Sequence, residues 1–227
     1  ARAGVGAQVC DYLSGKGLLV IDFITGKTFS ADDVAANLPR IATSVRTLHA
    51  GERFDRDFDM FEIQQRYLSI VNERGFRLPD GYLDLAERFA QIHRAFTATD
   101  TGTVPCNNDL LPANFIDDGQ KIWLIDYEYS GNNDPCFELG NIWSEAELEF
   151  AALEELVGAY YGGARADKLA RAWLFAQVAK YGWTLWASIQ DSISELDFDF
   201  WEWGMLKYES MREVISSTRA DSLLAAL

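Results

Sequence analysis

Three oxygen-bearing side chains in the middle of the sequence could carry out chemistry together. Asp109 and Asn114 lie five positions apart. Asp126 follows twelve positions after Asn114, at the end of an apolar stretch. This order, a D-x-x-x-x-N spacing followed by a second carboxylate, is typical of phosphoryl-transfer sites. In such a site one carboxylate accepts a hydroxyl proton, and the other helps to hold magnesium.

The residue types fit these roles. Phosphoryl transfer depends mainly on alignment of the nucleophile and on neutralisation of charge by metal ions. Asn114 offers a neutral amide oxygen and Asp126 an anionic oxygen, and magnesium prefers oxygen ligands. Asp109 then remains as the candidate catalytic base. The alternative is that Asn107, Asn108 and Asp109 form an ordinary turn, because Asn and Asp are common turn residues.

Short β segments are expected to position these residues. Val104–Cys106 and Asn114–Ile116 are predicted as short strands on either side of a polar turn. The polar residues that follow have the composition of a hairpin turn, and Lys121–Ile125 is predicted as a buried strand. Asp126 should therefore emerge at a strand end beside Asn114.

Composition narrows the class of protein. The chain has 227 residues, of which 48% are hydrophobic and 13% aromatic, enough for one large or two small domains with a packed core. Lys and Arg number 20 against 35 Asp and Glu, which gives a formal charge of −15. That charge opposes binding to nucleic acid and suits solubility or a cationic substrate.

The cysteines and the lengths of the apolar segments indicate where in the cell the protein is expected. Cys10, Cys106 and Cys136 are an odd, scattered set without a C-x-x-C pair, so neither a disulfide framework nor a zinc cluster is predicted. A cytoplasmic location is expected, because thiols stay reduced there. The sequence contains no apolar run long enough for a membrane span and no secretory signal pattern. Ala1 in place of Met indicates a trimmed start.

Helices are predicted to dominate the rest of the chain. Ala7–Leu13 and Leu18–Ile24 are predicted to form a hairpin, the only early sheet signal. Ser30 has the character of a helix cap, and Pro39 is placed to open a second helix. Helical spacing returns around Phe61–Val71, in Leu83–Phe96 and from Phe137 onward. The fold class is therefore helix-rich α+β, without an evident second domain.

The two histidines are predicted to be structural. His49 and His93 each lie on a predicted amphipathic helix. Neither has a His, Cys or acidic partner at the spacing of a metal site.

Four of the seven tryptophans stand close together near the carboxyl end, at positions 183, 186, 201 and 203. Aromatic faces can enclose an ammonium group, and each good contact contributes about 0.5 to 2 kcal/mol. The alternative is a packed core, which large aromatics at helical spacing more often indicate. The phosphoryl-transfer centre and the acidic charge of the chain favour an ammonium site. A small alcohol with a positive charge would account for both the aromatic cluster and the phosphoryl-transfer centre.

Taken together, these motifs resemble the choline/ethanolamine kinase family, within the broader aminoglycoside-phosphotransferase and protein-kinase-like superfamily. Four segments carry the resemblance, which covers nearly the whole chain from residue 5 to about residue 210. They are Ile21–Gly26, Cys106–Asn114, Ile125–Asn133 and Trp183–Gln190, and Phe137–Asn141 strengthens the third.

The resemblance implies a protein-kinase-like fold and a set of site residues. Residues 1–26 would be a remnant of the N-terminal lobe sheet with the hinge. Residues 27–227 would be a mostly helical C-terminal lobe with a small catalytic hairpin. The implied site residues are Asp109 as catalytic base, Asn114 and Asp126 as Mg²⁺ ligands, Asp22, Phe23 and Ile24 as the adenine-contacting hinge of an ATP site, and Tyr129, Glu145, Trp183, Trp186 and Trp203 as the amine pocket.

Two departures from the family pattern matter. Asn107 stands where the family usually has His at the head of the catalytic loop. An Asn side chain can still hydrogen-bond to backbone groups, so we expect the loop to keep its shape. The chain also begins near the family's fourth strand, so the Gly-rich loop and the Lys-bearing strand that orient ATP are expected to precede Ala1.

The expected function is transfer of the γ-phosphoryl group of ATP to the hydroxyl of choline or ethanolamine. One alternative is a kinase for an aminoglycoside, thiamine or another small hydroxylated metabolite, because catalytic residues say little about the acceptor. The other is a non-catalytic pseudokinase module that binds an amine or a nucleotide. The patterns carry no prediction of the oligomeric state.

Overall fold

An exposed hairpin begins the chain in the computed structural model, which describes residues 1–227. β1 (Val9–Leu13) pairs antiparallel with β2 (Leu18–Ile21) across a short 3₁₀ turn. Every residue of both strands is exposed. The predicted hairpin is confirmed, although its second strand ends at Ile21 and not at Ile24.

A three-stranded antiparallel sheet leads to Asp126. β5 (Phe115–Asp117) is the central strand, between β3 (Lys27–Thr28) and β6 (Ile122–Leu124). Phe115 lies opposite Leu124, and both side chains are fully buried. The predicted β5–β6 hairpin is confirmed, whereas β3 is not predicted because two residues are too few to show an alternating pattern.

A second small ladder holds the start of the loop that contains Asp109. β4 (Val104–Cys106) pairs antiparallel with β7 (Gly131–Asn133), and Cys106 lies opposite Gly131. A Cβ atom on Gly131 would lie 3.1 Å from the Cβ of Phe58, so a glycine suits this close approach. β4 is as predicted. The sequence gives no strand signal for β7, because Gly and Asn are depleted in strands.

Local capping sets the first two helices. α1 (Ala31–Ala36) begins with a capping box in which Ser30 and Asp33 satisfy each other's backbone N–H groups. Pro39 lies in the first turn of α2 (Leu38–His49), where a missing N–H costs no hydrogen bond. Both predicted helix starts are confirmed.

The chain divides into two compact units. The first unit comprises residues 1–58 and 101–172, and the second comprises residues 59–100 and 173–227. The prediction that residues 1–26 are a remnant of an N-terminal lobe with its hinge stays a prediction. The first unit contains the seven strands, α1, α2, α5 (Pro135–Glu145), α6 (Phe150–Tyr161) and the start of α7 (Ala166–Ile193); the second contains α3 (Met60–Arg74), α4 (Ala86–Ala98), the rest of α7, α8 (Phe200–Ile215) and α9 (Thr218–Ala225).

Stacked aromatic rings fill the core of the second unit. The Tyr181 ring stacks on Tyr82 at 4.1 Å and on Phe89 at 4.0 Å between ring centroids. The Tyr82 hydroxyl donates to the Tyr181 carbonyl at 2.8 Å and lies 3.1 Å from the Gln64 side-chain nitrogen. Burial raises the pKa of Tyr82 well above its ordinary value, so the hydroxyl keeps its proton as a donor.

The helix-rich α+β class is confirmed by this architecture. The breaks after α5 and α7, at residues 146–149 and 194–199, were not predicted, because they contain no glycine or proline. No helix meets the requirements for crossing a bilayer, the 28-residue α7 included.

Candidate active site

The segment between β4 and β5 holds the backbone of Asp109 from both sides. The N–H of Asp109 donates to the side-chain oxygen of Asn107 at 3.0 Å. The carbonyl oxygen of Asp109 accepts from the side-chain nitrogen of Asn114 at 2.7 Å and from the Leu111 N–H at 3.1 Å. Two side-chain amides therefore fix the main chain from which the half-buried Asp109 side chain extends.

Asn114 links this loop to the strand end. Its side chain is nearly buried, with the residue 7% exposed. Because its side-chain nitrogen is committed to Asp109, its side-chain oxygen is the atom left for a cation. Its backbone carbonyl accepts from the Ile125 N–H at 3.0 Å, directly before Asp126. The prediction that Asp126 emerges beside Asn114 is confirmed.

Asp126 is exposed and has an unusual backbone. Its φ of 58° lies in the left-handed region, which residues other than glycine rarely adopt. A residue keeps such a conformation, at a cost of about 1 to 3 kcal/mol, only where its surroundings enforce it. Here the Asn107 side chain donates to the carbonyl oxygens of Ile125 and Asp126, at 3.1 and 2.8 Å.

Asn107 is thus the hub of the site. Its fully buried side chain accepts from Asp109 and donates to the carbonyl of Asp126, so one amide ties the two acidic positions together. As expected, the Asn107 side chain hydrogen-bonds to backbone groups. Its own backbone N–H donates to both carboxylate oxygens of Glu138, at 3.1 and 3.0 Å.

Asn108 fixes the same loop to the region around β7. Its φ is 70°, and its side-chain nitrogen donates to the carbonyl oxygens of Tyr129 at 3.0 Å and Gly131 at 3.3 Å. Its side-chain oxygen accepts from Asn133 at 2.9 Å. Residues 107–109 therefore form a turn, as the alternative interpretation predicts. The same turn brings the predicted site residues together.

Sequence reasoning missed a buried polar group next to the loop. The side chains of Glu138 on α5 and His49 on α2 are 0% and 3% exposed, and Glu138 Oε2 lies 3.2 Å from His49 Nε2. The Cys106 sulfur lies 3.4 Å from the same nitrogen. His49 therefore has an acidic and a cysteine neighbour in space, which spacing along the chain cannot show. One signal was available, because Glu138 is the only charged residue among positions 135–144.

The other histidine, His93, has an aromatic neighbour in the second unit. Its ring stacks on Phe61 at 4.2 Å between centroids, nearly parallel. Such stacking is ordinary packing of an amphipathic helix and suits the predicted structural role.

A cavity of about 590 Å³ lies beside Asp126 in the first unit. Burial raises the pKa of Tyr127 in its wall, and the Glu138 charge adds to the shift. The predicted hinge residues Asp22, Phe23 and Ile24 are not in the wall, although Ile21 is, and Phe23 is 91% exposed. Their role stays a prediction. The apolar wall residues include Val5, Leu19, Ile21, Leu48, Leu124 and Tyr127.

The predicted amine-pocket residues fall in both units. In the first unit, Tyr129 and Glu145 are half-buried, and the Tyr129 carbonyl accepts from Asn108. Their part in an amine pocket stays a prediction.

The three predicted tryptophans of the pocket come together in the second unit. Trp186 makes edge-to-face contacts with Trp183 and Trp203, at 6.4 and 5.6 Å between centroids. Trp183 is 5% exposed, which suits the core interpretation, whereas Trp186 and Trp203 are half-buried. Lys207 Nζ lies 4.4 Å from the Trp203 centroid, so an internal cation already covers part of that ring.

Comparison with known proteins finds similarity to choline/ethanolamine kinases. Residues 6–156 match the sequence profile described as choline/ethanolamine kinase. Ethanolamine kinase 2 of Rattus norvegicus is 30% identical over 152 residues, which are 57% of this chain and 39% of that protein. Protein LicA of Haemophilus influenzae is 31% identical over 129 residues, 54% of this chain and 37% of that protein. The chain thus spans about two fifths of the length of these curated relatives.

A solved structure shows the same architecture. The crystal structure of a choline/ethanolamine kinase family protein from Mesorhizobium loti superposes with a TM-score of 0.92 at 28% identity. The superposition covers 99% of this chain and 79% of that chain. The kinase-like fold predicted from the motifs is thereby confirmed.

Proposed function

This chain belongs to the choline/ethanolamine kinase family, and from that premise we propose that the protein transfers the γ-phosphoryl group of ATP to the hydroxyl of choline or ethanolamine. The observation that carries the proposal is the Asn107 side chain, which bonds to the backbones of both Asp109 and Asp126. That contact supports a base and a cation-binding carboxylate acting in one site. The rat relative is an ethanolamine kinase, which supports an amino alcohol as the acceptor.

Asp109 is the proposed base. The substrate oxygen forms a bond to the γ-phosphorus while the bond from that phosphorus to the β–γ bridging oxygen breaks, and ADP leaves. The hydroxyl proton passes to the Asp109 carboxylate. The amide bonds on both sides of the Asp109 backbone support this role, because alignment supplies much of the acceleration in phosphoryl transfer.

Asn114 and Asp126 are the proposed ligands of Mg²⁺. The donor atoms suit that ion, since the Asn114 side-chain oxygen is left over from its bond to Asp109 and the Asp126 carboxylate is exposed beside it. Bound Mg²⁺ would neutralise negative charge on the phosphate oxygens.

The cavity beside Asp126 is the proposed site of the adenine base. Its volume of about 590 Å³ falls in the range of small-molecule sites, and the apolar walls suit a flat ring. The Asp22 N–H is already bonded to the Gln8 carbonyl at 2.9 Å. Asp22, Phe23 and Ile24 follow directly after Ile21 of the cavity wall, and a contact between their backbone and the adenine stays a prediction.

The acceptor's cationic group is assigned to the aromatic and acidic residues. Trp186 and Trp203 retain ring surface, and a cation over an aromatic face gains about 0.5 to 2 kcal/mol. The net charge of −15 favours the approach of a cation over that of an anion. For Tyr129, Glu145 and the buried Trp183, a part in binding the acceptor stays a prediction.

The test is a steady-state assay of the full-length protein with ATP, Mg²⁺ and a panel of amino alcohols. Asp109→Ala should lower kcat by about 10²- to 10⁴-fold, the range for loss of a general base. Asp32→Ala, which removes an exposed carboxylate from α1 in the same unit, should keep the wild-type rate. Equal rates for Asp109→Ala and wild type would overturn the role of Asp109. Binding of ATP without product from any alcohol would favour the pseudokinase alternative.

A further inference from the structure

A line of buried hydrogen bonds leads to the Asp109 loop, and the proposed reaction does not use it. The Tyr160 hydroxyl lies 2.7 Å from Nδ1 of His49. His49 Nε2 lies 3.2 Å from Glu138 Oε2, and both oxygens of Glu138 accept from the Asn107 N–H. The line therefore joins α6, α2 and α5 to the backbone of the hub residue.

The direction of each bond follows from the protons available. A lone pair on His49 Nε2 would face the negative carboxylate of Glu138, so this contact is attractive only when Nε2 carries a proton. Burial raises the pKa of Tyr160 above its ordinary value, so its hydroxyl keeps a proton to donate to Nδ1. Tyr160 thus donates to His49, and His49 donates to Glu138. Every polar group along the line has a partner, as buried groups require.

The same cluster contains metal-ligand types, but its polar atoms already bond to one another and to the loop. Ligand atoms of His49, Cys106 and Glu138 lie within 4.8 Å of one another. Burial, reinforced by the Glu138 charge, raises the pKa of Cys106 well above its ordinary value, so without a metal ion the sulfur stays a thiol. Nε2 of His49 carries the proton that a metal would have to replace, and both Glu138 oxygens are engaged by Asn107.

We propose that Glu138, held by His49, is a positioning residue for the loop that carries Asp109. The inference rests on the proposed function of that loop. Glu138 fixes the backbone of Asn107, and the Asn107 side chain fixes the backbones of Asp109 and Asp126. Hydrogen bonds to a buried carboxylate are shorter and stronger than neutral ones. A shift of Asn107 would therefore misplace the base and a metal ligand together.

The test compares Glu138→Gln and His49→Gln with a control in the full-length protein. Glu138→Gln should lower kcat about 10- to 100-fold, the size typical of groups that orient a functional residue, with KM for ATP changed less than about threefold. In nuclear magnetic resonance spectra, the Asn107 amide proton should move upfield and exchange faster with solvent. His49→Gln should give both effects at smaller size, because Glu138 keeps its bonds to Asn107.

Asp117→Asn is the matched control. Asp117 is a carboxylate of the same unit that accepts from Arg40 and the Gly119 N–H and makes no bond to the loop. This control should lower the melting temperature and leave kcat and the Asn107 amide unchanged.

Four results would overturn the inference. The first two are a kcat for Glu138→Gln within threefold of wild type and an Asn107 amide signal that Glu138→Gln leaves unchanged. The third is a fall in kcat for Asp117→Asn equal to that for Glu138→Gln. The fourth is stoichiometric zinc in the wild-type protein that Glu138→Gln removes. If Glu138→Gln fails to fold, His49→Gln decides by the same readouts. If the wild type phosphorylates no alcohol, the proposed function fails, and the Asn107 amide still decides whether Glu138 positions the loop.

Discussion

Different kinds of interaction stabilise the interiors of the two units. In the first unit, Asn107, Asn108 and Glu138 are fully buried; the two amides each bond to two or more backbone groups, and Glu138 bonds to the Asn107 N–H. In the second unit, stacked and edge-to-face rings such as Tyr82 and Tyr181 fill the core. A buried amide specifies one arrangement because any unmade bond is costly, whereas ring packing mainly specifies volume. The first unit should therefore respond to the loss of single polar atoms, and the second to changes in size.

The largest effect should separate activity from stability in the first unit. Asp126→Gly removes a proposed metal ligand, so kcat should fall about 10²- to 10³-fold, the size expected for one electrostatic contact to the transferred group. Glycine adopts the observed φ of 58° without strain but costs about 0.5 to 1 kcal/mol of backbone entropy, so the free energy of unfolding should stay the same or rise by up to about 2 kcal/mol. Kinetics and urea denaturation measure the two quantities.

Asn108→Gly is the control at another left-handed position. Its φ of 70° also suits glycine, but the variant loses the buried side-chain bonds to Tyr129, Gly131 and Asn133. The free energy of unfolding should fall by about 1 to 3 kcal/mol. Equal stabilities for the two glycine variants would contradict the importance given to buried amides here.

A volume change should matter more in the second unit. Gly204 lies inside α8, and a Cβ there would come within 2.4 Å of the Ala187 Cβ on α7. Because Ala187 has no flexible end that could move away, Gly204→Ala should lower the free energy of unfolding by about 1 to 3 kcal/mol. Urea denaturation measures the change.

Gly158 provides the matched substitution in the first unit. It also lies inside a helix, α6, but the nearest atom to an added Cβ is 4.0 Å away. Gly158→Ala should raise the free energy of unfolding by about 0.5 to 1 kcal/mol, because alanine favours helix. Destabilisation of the same size at both positions would remove the steric explanation for Gly204.

The smallest effect concerns an exposed turn of the first unit. Asp118 accepts the Gln120 and Lys121 N–H groups and the Trp123 indole N–H. These bonds, with that of Lys121 the largest cause, lower its pKa from 3.8 to about 2. A lowered pKa adds stability above the ordinary value of 3.8, and that stability is lost as pH falls toward 2.

Asp118→Asn should therefore lower the melting temperature at pH 5, and the difference should shrink steadily as pH falls through about 2. Melting curves followed by circular dichroism across this range measure the contribution. Trp123→Phe removes one of the three donors and should show part of the same pH-dependent difference. A difference that is constant across the range would mean that the turn depends on shape and not on the charge of Asp118.

Local signals predicted the elements that position the site. The Ser30–Asp33 capping box, the proline start of α2 and the β5–β6 hairpin are each encoded within a few neighbouring residues. The D-x-x-x-x-N spacing predicted the loop for the same reason, because Asn114 bonds to the backbone of Asp109 within that loop.

Features built from distant segments were beyond sequence patterns. His49, Cys106 and Glu138 meet only because α2, β4 and α5 are brought together by the fold. β7 has no strand propensity of its own, and its pairing with β4 depends on Asn132 and Gly131 contacting residues 54–58. The tryptophans were ambiguous for another reason, since helical spacing is the same whether a ring packs in a core or faces a ligand.

The amide at position 107 has a consequence for how the protein tolerates acidity. An imidazole in that place would gain a proton and a positive charge between about pH 8 and 5. A carboxamide has no proton to gain in that interval, so its one accepted and two donated bonds keep the same direction throughout. Over that interval the residue at position 107 therefore adds no titrating group of its own between its two acidic neighbours.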